Sequence, residues 1–317
     1  MWYNFAMNSV IGHEKILNYF DKVVETGNLS HAYILSGPEH LGKKFVAENI
    51  SAKLFGISLE KLLTYPDYLL VDQEISQKTG KLKKNIDADQ MRDVKIFLSQ
   101  KGFMGGYKVA VVDNAEKLNN SSANVILKTL EEPKGKSVLF LIARNYELLL
   151  PTIRSRCQTI NFSVVSKKTI KEGVLRKGVS ESEADEIVKL SGGLPGLALG
   201  WVDDKDSYNE YKKEIFRFIT LFNRPFYEKL EKVEDVFGDK VDHIASREKL
   251  MKEIDIWQSV LRGLLHSNNN LLEAKLKLKV GDGPILKIMN KLKEARLQLE
   301  NNIHPRILIE QMLLEMP

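Results

Sequence analysis

The sequence encodes an α/β domain built on a parallel sheet, followed by an all-helical C-terminal part. Three observations carry this expectation. Short apolar runs at Ala32–Ser36, Val109–Val112 and Val138–Ile142 have the length and composition of fully buried strands and are interleaved with helical patterns. The first of these runs leads directly into a glycine loop and then a helix. From Tyr208 onward apolar residues recur near a 3.6-residue period, with no strand-like run between them.

Taken in order, Val10–Glu14 precedes a helical pattern with Ile16, Leu17, Phe20 and Val23–Val24 on one side, a packing helix at the domain edge. Ala32–Ser36 is a strand, and Gly37-Pro38-Glu39-His40-Leu41-Gly42-Lys43-Lys44 leads from it into a helix over Phe45–Phe55. This is the context a phosphate-binding loop requires. Glycines let backbone N–H groups turn toward phosphate, and a helix N-terminus adds favourable partial charge. Gly37, Gly42 and Lys43 fit that pattern, but the next position calls for Ser or Thr to ligate Mg²⁺. Lys44 stands there, with donors and no acceptor. The loop therefore reads either as a degenerate site compatible with weak ATP or ADP binding or as a plain strand-to-helix turn.

Tyr68–Val71 is a further strand. Gln77–Asn85 is a basic, glycine-containing loop, best read as a solvated hairpin tip, with Lys81–Lys84 as its contact to DNA phosphate if it makes one. Ile86–Gln100 is a helix that Asp87 or Asp89 can cap, with Met91, Val94, Phe97 and Leu98 on its apolar face. Val109–Val112 ends at Asp113, a carboxylate at the carboxyl end of a strand, where open α/β sheets bind ligands. A helix over Ser121–Glu132 stops near Pro133, and Val138–Ile142 is the next strand. Ser166–Arg176 and Glu181–Ser191 are helices, followed by the Gly/Pro cluster Gly192–Gly196. Asp203–Ser207 is a polar break. Beyond it, Tyr211/Ile215/Phe218/Ile219/Phe222, Leu250/Ile254/Trp257/Leu261/Leu264 and Ile285/Ile288/Leu292/Ala295/Leu299 form three stripes. Gly281–Pro284 separates the last two long helices. Pro305 opens a final helix bearing Ile307, Leu308, Met312 and Leu313, placed where its missing N–H is harmless.

Residues 109–158, with AEKLN, LKTLEEP and LLPTIRSRCQ in sequence, resemble the core of the clamp loader subunits of bacterial DNA polymerase III, which are AAA+ proteins. The resemblance extends over most of the chain. It implies a RecA-like AAA+ domain over 1–165, a small helical lid over 166–204 and a helical collar domain, used for oligomerisation, over 205–317. It also implies roles for particular residues. Asp113 takes the Walker B position. Asn114 stands where hydrolysing relatives place the Glu that activates water, and it cannot take a proton at neutral pH. Glu116, two residues on, falls in a following turn and is a poor substitute. Asn145 is a weak match to the residue that senses the γ-phosphate, with Arg144 atypical beside it. Pro195-Gly196 replaces the lid arginine of hydrolysing members.

Ser155-Arg156-Cys157 matches the motif whose arginine crosses a subunit interface to a neighbour's ATP. A permanently charged planar guanidinium stabilises the transferring γ-phosphoryl, so Arg156 is the expected trans arginine finger. Arg154 reads as a structural or interface charge, and Cys157 as a small apolar residue. The resemblance thus implies a replication subunit with no independent ATPase, working with gamma/tau-type ATPase subunits and the clamp-opening delta subunit. The sliding clamp and primed DNA are reached through the complex. An ATP-hydrolysing gamma/tau-type motor is the alternative, opposed by Lys44, Asn114 and Pro195-Gly196. A small-molecule P-loop kinase would need Ser or Thr at position 44.

Composition sets the remaining bounds. The 317 residues are 43% hydrophobic and 28% charged, with a formal charge of +5 that permits nucleic-acid contact without requiring it. A single cysteine excludes an intramolecular disulfide, and the four-cysteine module common in this family is missing. Six dispersed histidines offer no ligand pairing, so no zinc and no other required cofactor is expected. The first residues do not read as a signal peptide, and no apolar run approaches the roughly 18 residues of a membrane span. A cytoplasmic protein with no membrane partner is the expectation.

Overall fold

The computed structural model describes residues 10–76, 80, 82–103, 106–234, 243–265, 280–300 and 303–317. Contacts divide the chain into one unit over Met1–Ala184 and Gly193–Leu199 and another over Asp185–Gly192 and Gly200–Pro317.

In the first unit α1 (Glu14–Glu25) precedes β1 (Ala32–Ser36), α2 (Lys43–Phe55), β2 (Tyr68–Val71), α3 (Ala88–Ser99), β3 (Lys108–Val112), α4 (Asn120–Glu131) and β4 (Ser137–Ala143). The one-turn helix α5 (Pro151–Arg154), β5 (Gln158–Asn161) and α6 (Lys167–Leu175) follow. The strands form one sheet in the order β2-β3-β4-β1-β5, every neighbouring pair parallel. β1, β3 and β4 are buried along their whole length, as their unbroken apolar runs require. Side chains alternate between two cores. Tyr33, Leu35, Val109, Val111 and Phe140 pack on Phe20, Val46 and Ile50. Ala32, Ile34, Ala110, Val112, Leu139 and Leu141 pack on Met91, Val94 and Ile126.

Because all strands are parallel, their carboxyl ends lie along one edge of the sheet. Gly37, Asp72, Asp113 and Arg144 are the next residues after β1, β2, β3 and β4. That edge is where the site is built.

Local chemistry sets the element ends. Asp87 caps α3 by accepting from Gln90 N, and the Gln90 side chain returns the bond to Asp87 N. Ser166 caps α6 by accepting from Thr169 N, without the reciprocal bond. The loop assigned to residues 77–85 lies partly outside the described residues, Lys81 included.

The helices that follow are α7 (Glu181–Leu190), α8 (Pro195–Asp203), α9 (Lys205–Ile219), α10 (Phe226–Val233), α11 (His243–Leu265), α12 (Asp282–Glu300) and α13 (Pro305–Glu315). The core of the second unit brings together Phe218, Leu250, Ile254, Trp257, Leu261, Ile288, Leu292, Leu299, Ile309, Met312 and Leu313. Phe218 stacks on Trp257 at 5.1 Å, and the indole N–H donates to Glu214 Oε1 at 2.6 Å, satisfying the polar edge of a buried aromatic. Two expectations need correction. Ile307 faces outward and Ile309 takes its place in the core. α12 begins at Asp282, so Pro284 lies inside its first turn, where no intrahelical N–H is lost.

Candidate functional site

β1 delivers the chain to Gly37, whose φ of 151° is open only to glycine. A Cβ there would lie 2.6 Å from the Phe162 carbonyl oxygen. The loop closes through two left-handed residues, His40 (φ 61°) and Gly42 (φ 81°), and α2 starts at Lys43. Lys43 is only 6% exposed. Its Nζ donates to the carbonyls of Gly37 at 2.5 Å and Pro38 at 2.6 Å, so the ammonium is satisfied by its own loop. Burial pulls its pKa down, against the opposing pull of Glu116, Glu39 and Asp113.

Lys44 points to Asp113, with Nζ 3.6 Å from Oδ2. Burial pushes the Asp113 carboxyl up from its usual range, and the Lys44 charge is the main influence holding it down. Asn114 occupies the left-handed region (φ 51°). Its backbone N–H donates to Asp113 Oδ1 at 3.0 Å, and its amide donates to Asp72 Oδ1 at 3.0 Å. This amide is an anchor between β2 and β3 and carries no basic group. Lys44 does not fit a divalent ion here, because an ammonium has no acceptor to offer one. Among the described residues no group of three or more His, Cys, Asp or Glu could hold a metal.

A second charge group joins the loop to the ends of β3 and β4. Arg144 Nη2 is 2.5 Å from Glu39 Oε1, and its Nε is 3.5 Å from Glu116 Oε1. Glu116 lies in the turn 115–117, as its sequence position implies, but its side chain folds back to 8% exposure beside Arg144. Asn145 is occupied locally, its Oδ1 accepting from Glu147 N at 3.0 Å. Gly196 N donates to His40 O at 2.8 Å, joining the start of α8 to the glycine loop after β1. A Cβ on Gly196 would meet that same oxygen at 2.8 Å. Glycine is therefore needed here for close backbone approach. Glu39 and Asp72 take part in this site without having been singled out in the sequence. The available signals were that Glu39 lies inside the glycine loop and that Asp72 directly follows the strand Tyr68–Val71.

The Ser155-Arg156-Cys157 segment forms a separate constellation. Arg156 Nη1 donates to Thr152 O at 2.9 Å and Ser155 Oγ at 3.1 Å, and Nη2 to Glu131 Oε1 at 2.6 Å. The Arg156 side chain is 33% exposed and that of Glu131 50%. Arg154 lies 5.8 Å from the centre of the Tyr146 ring. Cys157 packs against the sheet core, and burial pushes its thiol up to about 12, so it is neutral and unreactive at physiological pH. Glu131 was also missed, since an acid at a helix end gives no sequence signal of its partner.

A family model described as "DNA polymerase III, delta subunit" matches residues 12–166. The chain is 36% identical over 182 residues to DNA polymerase III subunit delta' of Pseudomonas aeruginosa, covering 52% of this chain and 54% of that protein. Over residues 12–166 the chain is similar to the delta-prime clamp loader subunits of DNA polymerase III. It is also 30% identical over 208 residues to the delta' subunit of Haemophilus influenzae, covering 61% of each. Identity to the Bacillus subtilis delta' subunit is 21% over 335 residues, covering 95% of this chain and 94% of that one. The match thus spans about half to three fifths of the length of the Pseudomonas and Haemophilus relatives. The parallel sheet with flanking helices and the helical C-terminal part agree with the AAA+ architecture implied by the sequence. Among the described residues, no helix is long and apolar enough to cross a membrane.

Proposed function

We propose that this chain is the non-hydrolysing subunit of a clamp loader that places the sliding clamp on primed DNA, and that it lends Arg156 to ATP held by a neighbouring subunit. The ATPase partners in this reading are gamma/tau-type subunits, to which the chain is itself similar at 24–27% identity, beside a delta subunit. The division into a RecA-like domain (1–165), lid (166–204) and collar (205–317) belongs to the same proposal.

One observation carries the reading. The cations of the chain's own glycine loop are engaged at that loop, Lys43 with its carbonyls and Lys44 with Asp113, whereas Arg156 sits in a different segment, where its charged partner is the half-exposed Glu131. Asn114 supplies no base for water. At most weak ATP or ADP binding follows, because a phosphate would have to displace the Gly37 and Pro38 carbonyls from Lys43. Arg156 is held by a half-exposed ion pair, which is worth about 0–1 kcal/mol and is readily exchanged for a phosphate oxygen.

The test is steady-state ATPase of the reconstituted loader on primed DNA, with wild-type chain and with Arg156→Ala, beside the isolated chain. The isolated chain is expected to show no turnover. Arg156→Ala is expected to suppress the neighbouring site, where a finger is worth on the order of 10³–10⁵ in rate, while assembly persists. Turnover by the isolated chain, or an unaffected complex, overturns the proposal.

A further inference from the structure

We infer that Lys44 is the resident cation of the degenerate phosphate loop, its ammonium standing in the place of the divalent ion and binding Asp113 so that the site takes no metal. This deepens the non-hydrolysing part of the function proposed above and does not depend on the role given to Arg156.

The geometry begins with position 44, directly after the loop lysine, where P-loop proteins present a hydroxyl to the metal. Here the first turn of α2 presents an ammonium, 3.6 Å from Asp113 Oδ2. The two side chains are 40% and 19% exposed, so the carboxylate is the more buried partner and the one that needs a counter-charge. Glu48, one helical turn beyond Lys44, faces the same ammonium, and burial raises its carboxyl while Lys44 opposes the rise. Asp72 lies close enough to Asp113 to repel it, and the Asn114 amide occupies one Asp72 oxygen. Lys44 is therefore the cation shared by carboxylates on α2 and at the end of β3. A divalent ion entering the same space would meet a fixed positive charge and no hydroxyl ligand.

The inference is tested by thermal unfolding of the full chain in four forms: wild type, Lys44→Met, Asp113→Asn and the double variant. Each is measured with EDTA and with excess Mg²⁺, in the presence and absence of ATP. Lys44→Met is expected to lower the midpoint by roughly 1–3 °C, the scale of a partly exposed ion pair in a chain of this size. It should cost nothing further once Asp113 is Asn. Lys44→Arg, which keeps the charge, should hold the wild-type midpoint. The wild-type midpoint should be the same in Mg²⁺ and in EDTA, with or without ATP. Additive effects of the two single substitutions would overturn the inference, as would a wild-type midpoint that rises specifically with Mg²⁺. Neither readout involves turnover by the assembled loader, so this inference and the trans role of Arg156 fail separately.

Discussion

Arg156 and Glu131 show how a strong hydrogen-bond geometry can carry little energy. Their contact is 2.6 Å, yet water reaches both side chains, and an exposed ion pair is screened and offset by side-chain entropy. Glu131→Ala should therefore shift folding stability by less than about 1 kcal/mol, a change measurable by denaturant titration. A larger loss would mean that the pair is part of the fold and is not readily exchanged. Much of this chemistry was legible from residue identity. Lys44 cannot ligate a cation, and Asn114 cannot act as a base, wherever they lie. Their partners were not legible. Asp72 reaches Asn114 across 42 residues of sequence, and Glu131 reaches Arg156 across 25. No spacing rule connects residues on different strands or helices at such separations.

Helix ends and strand edges explain both the successes and the omissions in reading the secondary structure. β1 to β4 announce themselves as apolar runs because the sheet buries most of their length. β5, Gln158–Asn161, was not anticipated, since an edge strand exposed at both ends needs no apolar run. α8 meets the phosphate loop through Gly196, and Gly196→Ala places a methyl 2.8 Å from a backbone oxygen and 3.2 Å from the His40 Cα. Backbone cannot move aside as a flexible side chain can, so a loss of roughly 1–3 kcal/mol is expected, checked by chemical denaturation. A second case lies between α9 and α11. Burial and the neighbouring Glu214 push the Glu253 carboxyl up to about 8, against the charges of Arg217 and Lys249. The folded state thus holds this proton more tightly than the unfolded chain does. Stability from this group is fullest below its unfolded pKa near 4.5 and falls as pH rises toward 8. Glu253→Gln should raise the unfolding midpoint at pH 8 by roughly 2–4 °C, the response to about 1 kcal/mol, and by less at pH 5. An equal gain at both pH values would count against this assignment.

Across the entire chain, two compact units carry different kinds of chemistry. The sheet unit gathers the glycine loop with its buried charges and the Ser-Arg-Cys segment. The helical unit is held by stripes around Trp257 and Phe218 that are fully accounted for as core. Under the proposed function the chemistry belongs to an assembly, so its decisive experiment is done there. Arg156→Lys in the reconstituted loader should assemble normally by size-exclusion chromatography yet recover little of the ATPase lost in Arg156→Ala. An ammonium lacks the planar fork that can bridge two phosphate oxygens. Full recovery with lysine would reduce the role to simple charge.

What residue order settled were the properties that travel with the covalent chain. These are the strand–glycine loop–helix unit, the acid after β3, the missing hydroxyl at position 44, the missing base at position 114 and the Ser-Arg-Cys motif. Each depends on what a side chain can or cannot do chemically, or on neighbours a few positions away. What folding settled was the pairing: Lys44 with Asp113, Arg144 with Glu39 and Glu116, Gly196 with His40, and Arg156 with Glu131. Hydrogen bonds and ion pairs act over a few ångströms. The strand ends gathered along one edge, with the loops beside them, bring the first pairs within that reach, and the packing of α4 beside α5 brings Arg156 to Glu131.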